Sequence, residues 1–153
     1  MDDGNEVTEN EPPPVPISAG LLIERRADGL FLLLGKRAAG RQFYPGVWDL
    51  IGGHVETGEM PEDALVRELR EEIGVTPLAW REVARVVVPA AGPGAVALEF
   101  WLYVVTAWRG EPRNLLPEEH DEIAWFAVEE ACRLDLADES YPELFQRVGA
   151  LMG

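Results

Sequence analysis

The sequence predicts one mixed α/β domain, and three observations support this fold class. The chain has 153 residues, which is enough for a single domain that buries its own core. Short apolar runs, separated by Gly, Pro and Asp, lie before and after one central segment of helical periodicity. Further helical patterns follow the last apolar run, so strands, a helix, more strands and then helices are expected, in an α+β or mixed α/β order.

A hairpin opens the predicted domain. Its two strands are residues 17–26 and 30–37, joined by a turn at Asp28-Gly29, and a loop over residues 38–47 follows. Short and long strands are then predicted at residues 48–51, 79–89, 95–108 and 123–126, and helices at residues 61–73, 128–133 and 141–151.

The charge of the chain excludes some partners. It carries 28 Asp and Glu against 13 Lys and Arg, a formal net charge of −15. Such a surface repels phosphate backbones and anionic lipids, so neither a nucleic acid polymer nor a membrane is expected as a partner. No apolar run reaches the ~20 residues of a membrane span. The lone cysteine, Cys132, forms no intramolecular disulfide, and a cytoplasmic protein is expected.

The first sixteen residues differ from the rest. Residues 1–16 contain five acidic residues, four prolines and no basic residue, which is typical of a disordered or extended tail. The folded domain is therefore expected to occupy residues 17–153.

The central helix carries an unusual set of carboxylates. Leu65, Leu69 and Ile73 form its apolar stripe, and Gly74 favours a left-handed end. At about 100° per residue, three glutamates fall in one arc beside that stripe: Glu68, Glu71 and Glu72.

This acidic arc has two interpretations. It could be a solvated face, the usual place for charged residues. However, carboxylates at this spacing repel one another, and they lie near the helix end that the macrodipole makes unfavourable for them. A divalent cation would relieve both effects, so the arc also predicts a metal site.

The segment GHVETGEMPEDALVRELREEIGV at residues 53–75 resembles the Nudix box. The matching positions are Gly53, Glu59, Arg67, Glu68, Leu69, Glu71, Glu72, Gly74 and Val75. The one departure lies before the box, where Ile51 stands in place of the usual proline. The resemblance implies an α/β/α sandwich with a mixed sheet over residues 17–151. It also implies hydrolysis of the pyrophosphate linkage in a nucleoside diphosphate joined to another group X.

The resemblance also assigns roles to residues of the box. Glu68, Glu71 and Glu72 would bind Mg²⁺ or Mn²⁺, with a backbone carbonyl from Gly53. Arg67 would orient the glutamates, because its rigid fork holds carboxylates better than lysine could. Glu59 would stabilise the loop–helix–loop instead of touching metal.

The base that accepts a proton from the attacking water has two candidate sources. It could be a glutamate of the box or one from the acidic loop before residue 123, where Glu119 is the preferred candidate. A merely solvated acidic loop is the alternative. The two histidines, His54 and His120, are assigned no role.

Candidate substrate contacts lie at the end of the hairpin and in the loop that follows it. Arg37 matches a phosphate-contacting position of MutT-type members, Lys36 adjoins it, and Arg41 is a weaker candidate. Phe43 and Tyr44 are candidates for stacking on a base. The alternatives are ordinary strand-end charges and aromatic residues that pack in the core.

The expected function is that of a MutT-like hydrolase acting on a (d)NTP or an oxidised (d)NTP, as a monomer or homodimer. Within the same class, the alternative is hydrolysis of ADP-ribose or a nucleotide sugar. Outside it, the alternatives are a non-catalytic Nudix module that senses a nucleotide and an acidic interaction protein.

Overall fold

The computed structural model of the chain describes residues 12–41 and 45–152. Its strands are β1 (Val15–Arg26), β2 (Gly29–Arg37), β3 (Trp48–Asp49), β4 (Ile51–His54), β5 (Thr76–Val88), β6 (Leu98–Arg109) and β7 (His120–Ala127). Its helices are α1 (Pro61–Ile73), α2 (Val128–Ala131) and α3 (Tyr141–Met152). Among the described residues, no helix is long and apolar enough to cross a membrane.

The strands form one mixed sheet in which β1 is central. The order is β3-β2-β1-β6-β5, while β4 pairs with β1 and β7 pairs with β2. β1 runs parallel to β6 and antiparallel to β2 and β4, which makes the sheet mixed. The first two strands form the predicted hairpin, with Arg26 opposite Gly29.

Helices cover both faces of this sheet. On one face, Leu65, Leu69 and Ile73 of α1 are fully buried against the sheet. On the other, Phe145 and Val148 of α3 are fully buried. Each such side chain contributes roughly 1.5–3 kcal/mol by leaving water. The predicted α/β/α sandwich with a mixed sheet is thus confirmed.

The ends of α1 follow from its sequence. Pro61 occupies the first turn, where a missing N–H leaves no hydrogen bond unmade. Gly74 ends the helix with φ 74°, and its N–H bonds to the carbonyl of Arg70. This left-handed conformation favours glycine, so the stop is encoded locally.

The predicted elements are present, with shifted bounds. β1 begins at Val15, two residues before the predicted start of the domain, and residues 1–11 of the predicted tail lie outside the described residues. The short strand predicted at residues 48–51 is divided into β3 and β4 at Leu50, whose N–H bonds to the Asp49 carboxylate at 2.8 Å. The helix predicted at residues 128–133 is shorter, ending at Ala131.

Candidate active site

Arg67 lies at the centre of a hydrogen-bond network that joins α1 to the chain before it. Its guanidinium donates to Glu59 through Nε at 2.9 Å and Nη2 at 3.0 Å. Nη1 donates to Glu68 at 3.0 Å and to Glu71 at 3.3 Å. Nη2 also reaches the carbonyl of His54 at 3.0 Å. One planar cation therefore fixes three carboxylates and a backbone carbonyl together.

Glu68 lies directly against the backbone of Gly53. A Cβ atom added at Gly53 would lie 2.5 Å from Oε2 of Glu68, so any other residue would displace that carboxylate. β4 holds Gly53 in place by pairing it with Ser18 of β1. The structure thus places Gly53, the predicted carbonyl ligand, next to Glu68.

Glu72 is the buried member of the acidic arc, with 1% of its surface exposed. Burial, followed by the neighbouring Glu68 carboxyl, raises the pKa of Glu72 well above its ordinary value. Its Oε1 lies 2.7 Å from Nε2 of His120. Burial lowers the pKa of His120 to about 4, aided by the cations Arg41 and Arg37, so its imidazole is neutral at physiological pH.

Glu71 differs from the other two carboxylates of the arc. Its side chain is 57% exposed, and its one hydrogen bond among the described residues is to Arg67. It therefore lies on the outer side of the cluster that Glu68 and Glu72 form.

The loop before β7 brings Glu119 to this cluster. Glu72, Glu119 and His120 each offer one ligand atom, and these atoms lie within 4.8 Å of one another. The carbonyl of Glu119 accepts a hydrogen bond from the N–H of Ala38 at 2.9 Å, which fastens the loop to the end of β2. Nη1 of Arg41 lies 3.5 Å from Oε1 of Glu119.

The residues present fit a divalent cation. Carboxylate oxygens are the donors that hard cations prefer, and the neighbouring Glu68 and Glu72 supply them at one end of α1. The buried Glu72 carboxylate, whose ionised form is disfavoured by burial and by Glu68, is the group that a bound cation would compensate most.

The predicted phosphate contacts lie in different surroundings. Nη1 of Arg37 is 3.5 Å from Oδ2 of Asp49, whose Oδ1 accepts a hydrogen bond from the Tyr141 hydroxyl at 2.8 Å. Burial lowers the pKa of Arg37 and raises that of Asp49. Lys36 is half-buried and pairs with Trp48 of β3. The predicted base-stacking residues Phe43 and Tyr44 lie outside the described residues.

Sequence reasoning missed the role of three residues at the site. His120 received no role, although it lies in the acidic loop beside Glu119, and the pairing of β7 with β2 brings it to Glu72. Asp49 and Tyr141 are 92 positions apart, and no local pattern connects them.

Comparisons with known proteins identify the family of the chain. The family model of the NUDIX domain matches residues 14–148. The nucleoside triphosphatase NudI of Enterobacter sp. (strain 638) is 38% identical over 112 residues, or 68% of this chain and 78% of that protein.

Two solved structures are also similar. The MutT NUDIX hydrolase from Burkholderia pseudomallei has a TM-score of 0.68 at 30% identity, covering 77% of this chain and 86% of that chain. A structure from work on MutT of Aliivibrio salmonicida and Vibrio cholerae has a TM-score of 0.70 at 26% identity, covering 92% and 100%.

The NUDIX domain match and the 38% identical nucleoside triphosphatase show that the chain is a hydrolase. The chain belongs to the Nudix family, as the segment at residues 53–75 predicted.

Proposed function

We propose that this hydrolase cleaves the pyrophosphate linkage of a nucleoside triphosphate, (d)NTP or oxidised (d)NTP, in the manner of MutT, and that it depends on Mg²⁺ or Mn²⁺. The observation that carries the proposal is the group of Glu72, Glu119 and His120, which has Glu68 next to Glu72 and the cations Arg37 and Arg41 near His120. The names of its relatives, a nucleoside triphosphatase and MutT proteins, support this substrate class.

In this proposal the acidic arc and the chain before α1 hold the metal. Glu68, Glu71 and Glu72 contribute carboxylate oxygens, and Gly53 contributes its carbonyl. A divalent cation there would neutralise charge on the phosphates and lower the pKa of a bound water. Arg67 keeps the carboxylates in place by donating to Glu68 and Glu71.

Glu119 is the proposed general base. It lies at the cluster, and its 41% exposed side chain is open to solvent. A carboxylate so placed can accept the proton of an attacking water, while Arg41 holds one of its oxygens at 3.5 Å. Phosphoryl transfer demands little else from the protein than positioning and charge neutralisation.

The phosphates need cations on the protein side as well. Arg37 and Lys36 at the end of β2 are the proposed contacts, and Arg41 joins them because it lies beside Glu119. Arg37 is held at Asp49, so its guanidinium is oriented before a substrate arrives. Phe43 and Tyr44 are proposed to stack on the base. The proposed setting is the cytoplasm, as a monomer or homodimer without a nucleic acid polymer or membrane as partner.

A substrate panel tests the proposal. The full chain, with Mg²⁺ or Mn²⁺, is offered nucleoside triphosphates, oxidised dGTP, ADP-ribose, nucleotide sugars and dinucleoside polyphosphates, and the products are identified by chromatography. A nucleoside triphosphate should be the best substrate, and EDTA should abolish turnover. Preferential cleavage of ADP-ribose or a nucleotide sugar would show that nucleoside triphosphates are not the substrate class. No turnover on any compound would favour a nucleotide-sensing module.

A further inference from the structure

We propose that His120 is a positioning residue that fixes the orientation of the Glu72 carboxylate for the cation, with Gly35 providing the space for its ring. The inference rests on the metal site of the proposed function. It concerns two residues outside the segment at residues 53–75, one on β2 and one at the start of β7.

Hydrogen bonds of its backbone hold His120 in place. Its N–H bonds to the carbonyl of Leu116 at 3.0 Å, and its carbonyl accepts from the side chain of Asn114 at 2.8 Å. It also pairs with Arg37 in the ladder between β2 and β7. With 3% of its surface exposed, its ring has little freedom to turn.

Gly35 explains how the ring fits against the sheet. A Cβ atom at Gly35 would lie 2.8 Å from Nδ1 and 3.1 Å from Cε1 of His120. Gly35 follows the apolar residues 30–34 of β2 and is itself buried, although glycine weakens the interior of a strand. The close approach of the ring supplies a reason for a glycine at this position.

The surroundings of the ring also decide which nitrogen carries the proton. Nδ1 is buried and has no hydrogen-bond partner among the described residues, so an N–H there would be buried without an acceptor. The proton therefore belongs on Nε2, which donates to Oε1 of Glu72 over 2.7 Å. One oxygen of Glu72 is thereby fixed, and the carboxyl group also faces Glu68, the second carboxylate proposed to hold the cation.

This arrangement gives His120 a measurable effect on metal binding. Groups that hydrogen-bond to metal ligands orient them, and losing one typically weakens metal affinity about 10–100-fold. His120→Ala should therefore weaken binding of Mn²⁺ by this factor. Glutamine can place an N–H near the position of Nε2, so His120→Gln should restore most of the affinity.

The experiment is a titration of the full chain with Mn²⁺ alone, followed by the electron paramagnetic resonance signal of the free ion. Thermal unfolding is measured in parallel. Val148→Ala is the matched control, because Val148 is fully buried on the opposite face of the sheet. It should lower the unfolding temperature and leave the affinity for Mn²⁺ unchanged, which separates loss of stability from loss of orientation.

Gly35→Ala provides a second variant that keeps both His120 and Glu72. Its methyl group should push the ring and weaken Mn²⁺ binding in the same direction as His120→Ala. In the His120→Ala background the ring is absent, so Gly35→Ala should have no further effect on affinity. Such non-additivity is the signature of two residues that act through one contact.

Three results would overturn the inference. Unchanged Mn²⁺ affinity in His120→Ala would show that His120 does not orient Glu72. Equal losses in His120→Ala and His120→Gln would instead indicate that the imidazole binds the ion directly. If the unaltered chain itself does not bind Mn²⁺, the metal site of the proposed function fails and the inference fails with it.

Discussion

Arg67 and Glu59 are joined by two parallel hydrogen bonds, with Nε 2.9 Å from Oε2 and Nη2 3.0 Å from Oε1. Oε1 of Glu59 also accepts from the N–H of Glu56 at 3.0 Å. Glu59 thus ties the turn before α1 to the arginine that contacts Glu68 and Glu71. Its influence on the carboxylate cluster is exerted through Arg67.

Replacing Arg67 by lysine should impair the site while keeping the positive charge. A lysine ammonium cannot reproduce the two-pronged contact with Glu59 and reach Glu68 as well. We expect Arg67→Lys to lower kcat and Mn²⁺ affinity about 10–100-fold, measured by steady-state kinetics and metal titration. Arg70→Lys is the control, because Arg70 is exposed on the same helix. Equal activity of the two variants would contradict the orienting role of Arg67.

Replacing Glu72 by glutamine should separate stability from metal binding. Because burial and Glu68 raise the pKa of Glu72 above its ordinary value, its ionised form is unfavourable in the metal-free protein at neutral pH. Glu72→Gln removes this cost, so the metal-free variant should unfold at the same temperature as the unaltered chain or higher. Its turnover should nevertheless fall by orders of magnitude.

Added Mn²⁺ gives the control for that variant. An ion present at 100 times its Kd stabilises a folded protein by about 2.7 kcal/mol, which shifts the unfolding temperature by several degrees. The unaltered chain should show this shift in a thermal scan and Glu72→Gln should not. An equal shift in both proteins would rule out Glu72 as a ligand.

The carboxylates of α1 could be predicted from the sequence because helical periodicity is local. Spacing alone placed Glu68 and Glu72 beside the apolar stripe, and Gly74 marked the end of the helix. The contact between His120 and Glu72 could not be predicted, since it joins residues 48 positions apart. It depends on the register of β7 on β2, which shifts by an irregularity at Lys36 and Arg37. A buried glycine at the end of an apolar run, Gly35, is a local signal of the ring that packs there.

Variants of two adjacent residues in one loop test the candidate base. Glu119 lies at the carboxylate cluster, whereas Glu118 is exposed. Loss of a general base typically costs about 10²–10⁴-fold in rate, so Glu119→Gln should lower kcat by this factor. Glu118→Gln should leave kcat unchanged under the same steady-state assay. If both variants retain kcat, the base lies in the segment at residues 53–75.

The hydrogen bonds between Glu59 and Arg67 also predict how the stability of the folded protein depends on pH. Hydrogen bonding from Arg67, followed by the Glu56 N–H, lowers the pKa of Glu59 from its ordinary 4.5 to about 2. A carboxyl group whose pKa is lower in the folded state stabilises that state fully above its unfolded pKa. The contribution is therefore present at pH 7 and is lost as the pH falls from 4.5 towards 2.

Glu59→Gln should consequently be less stable than the unaltered chain at pH 7, and the difference should shrink as the pH falls through that range. Urea unfolding of both proteins at a series of pH values measures it. Glu111→Gln is the control, because Glu111 is an exposed residue of the loop before β7 and its loss changes the net charge equally. Comparison of the two variants cancels the effect of the lost charge, so the remaining difference comes from the contacts of Glu59. If the difference in unfolding free energy between Glu59→Gln and Glu111→Gln stays constant from pH 7 to pH 2, Arg67 does not hold the carboxylate of Glu59 in its ionised form.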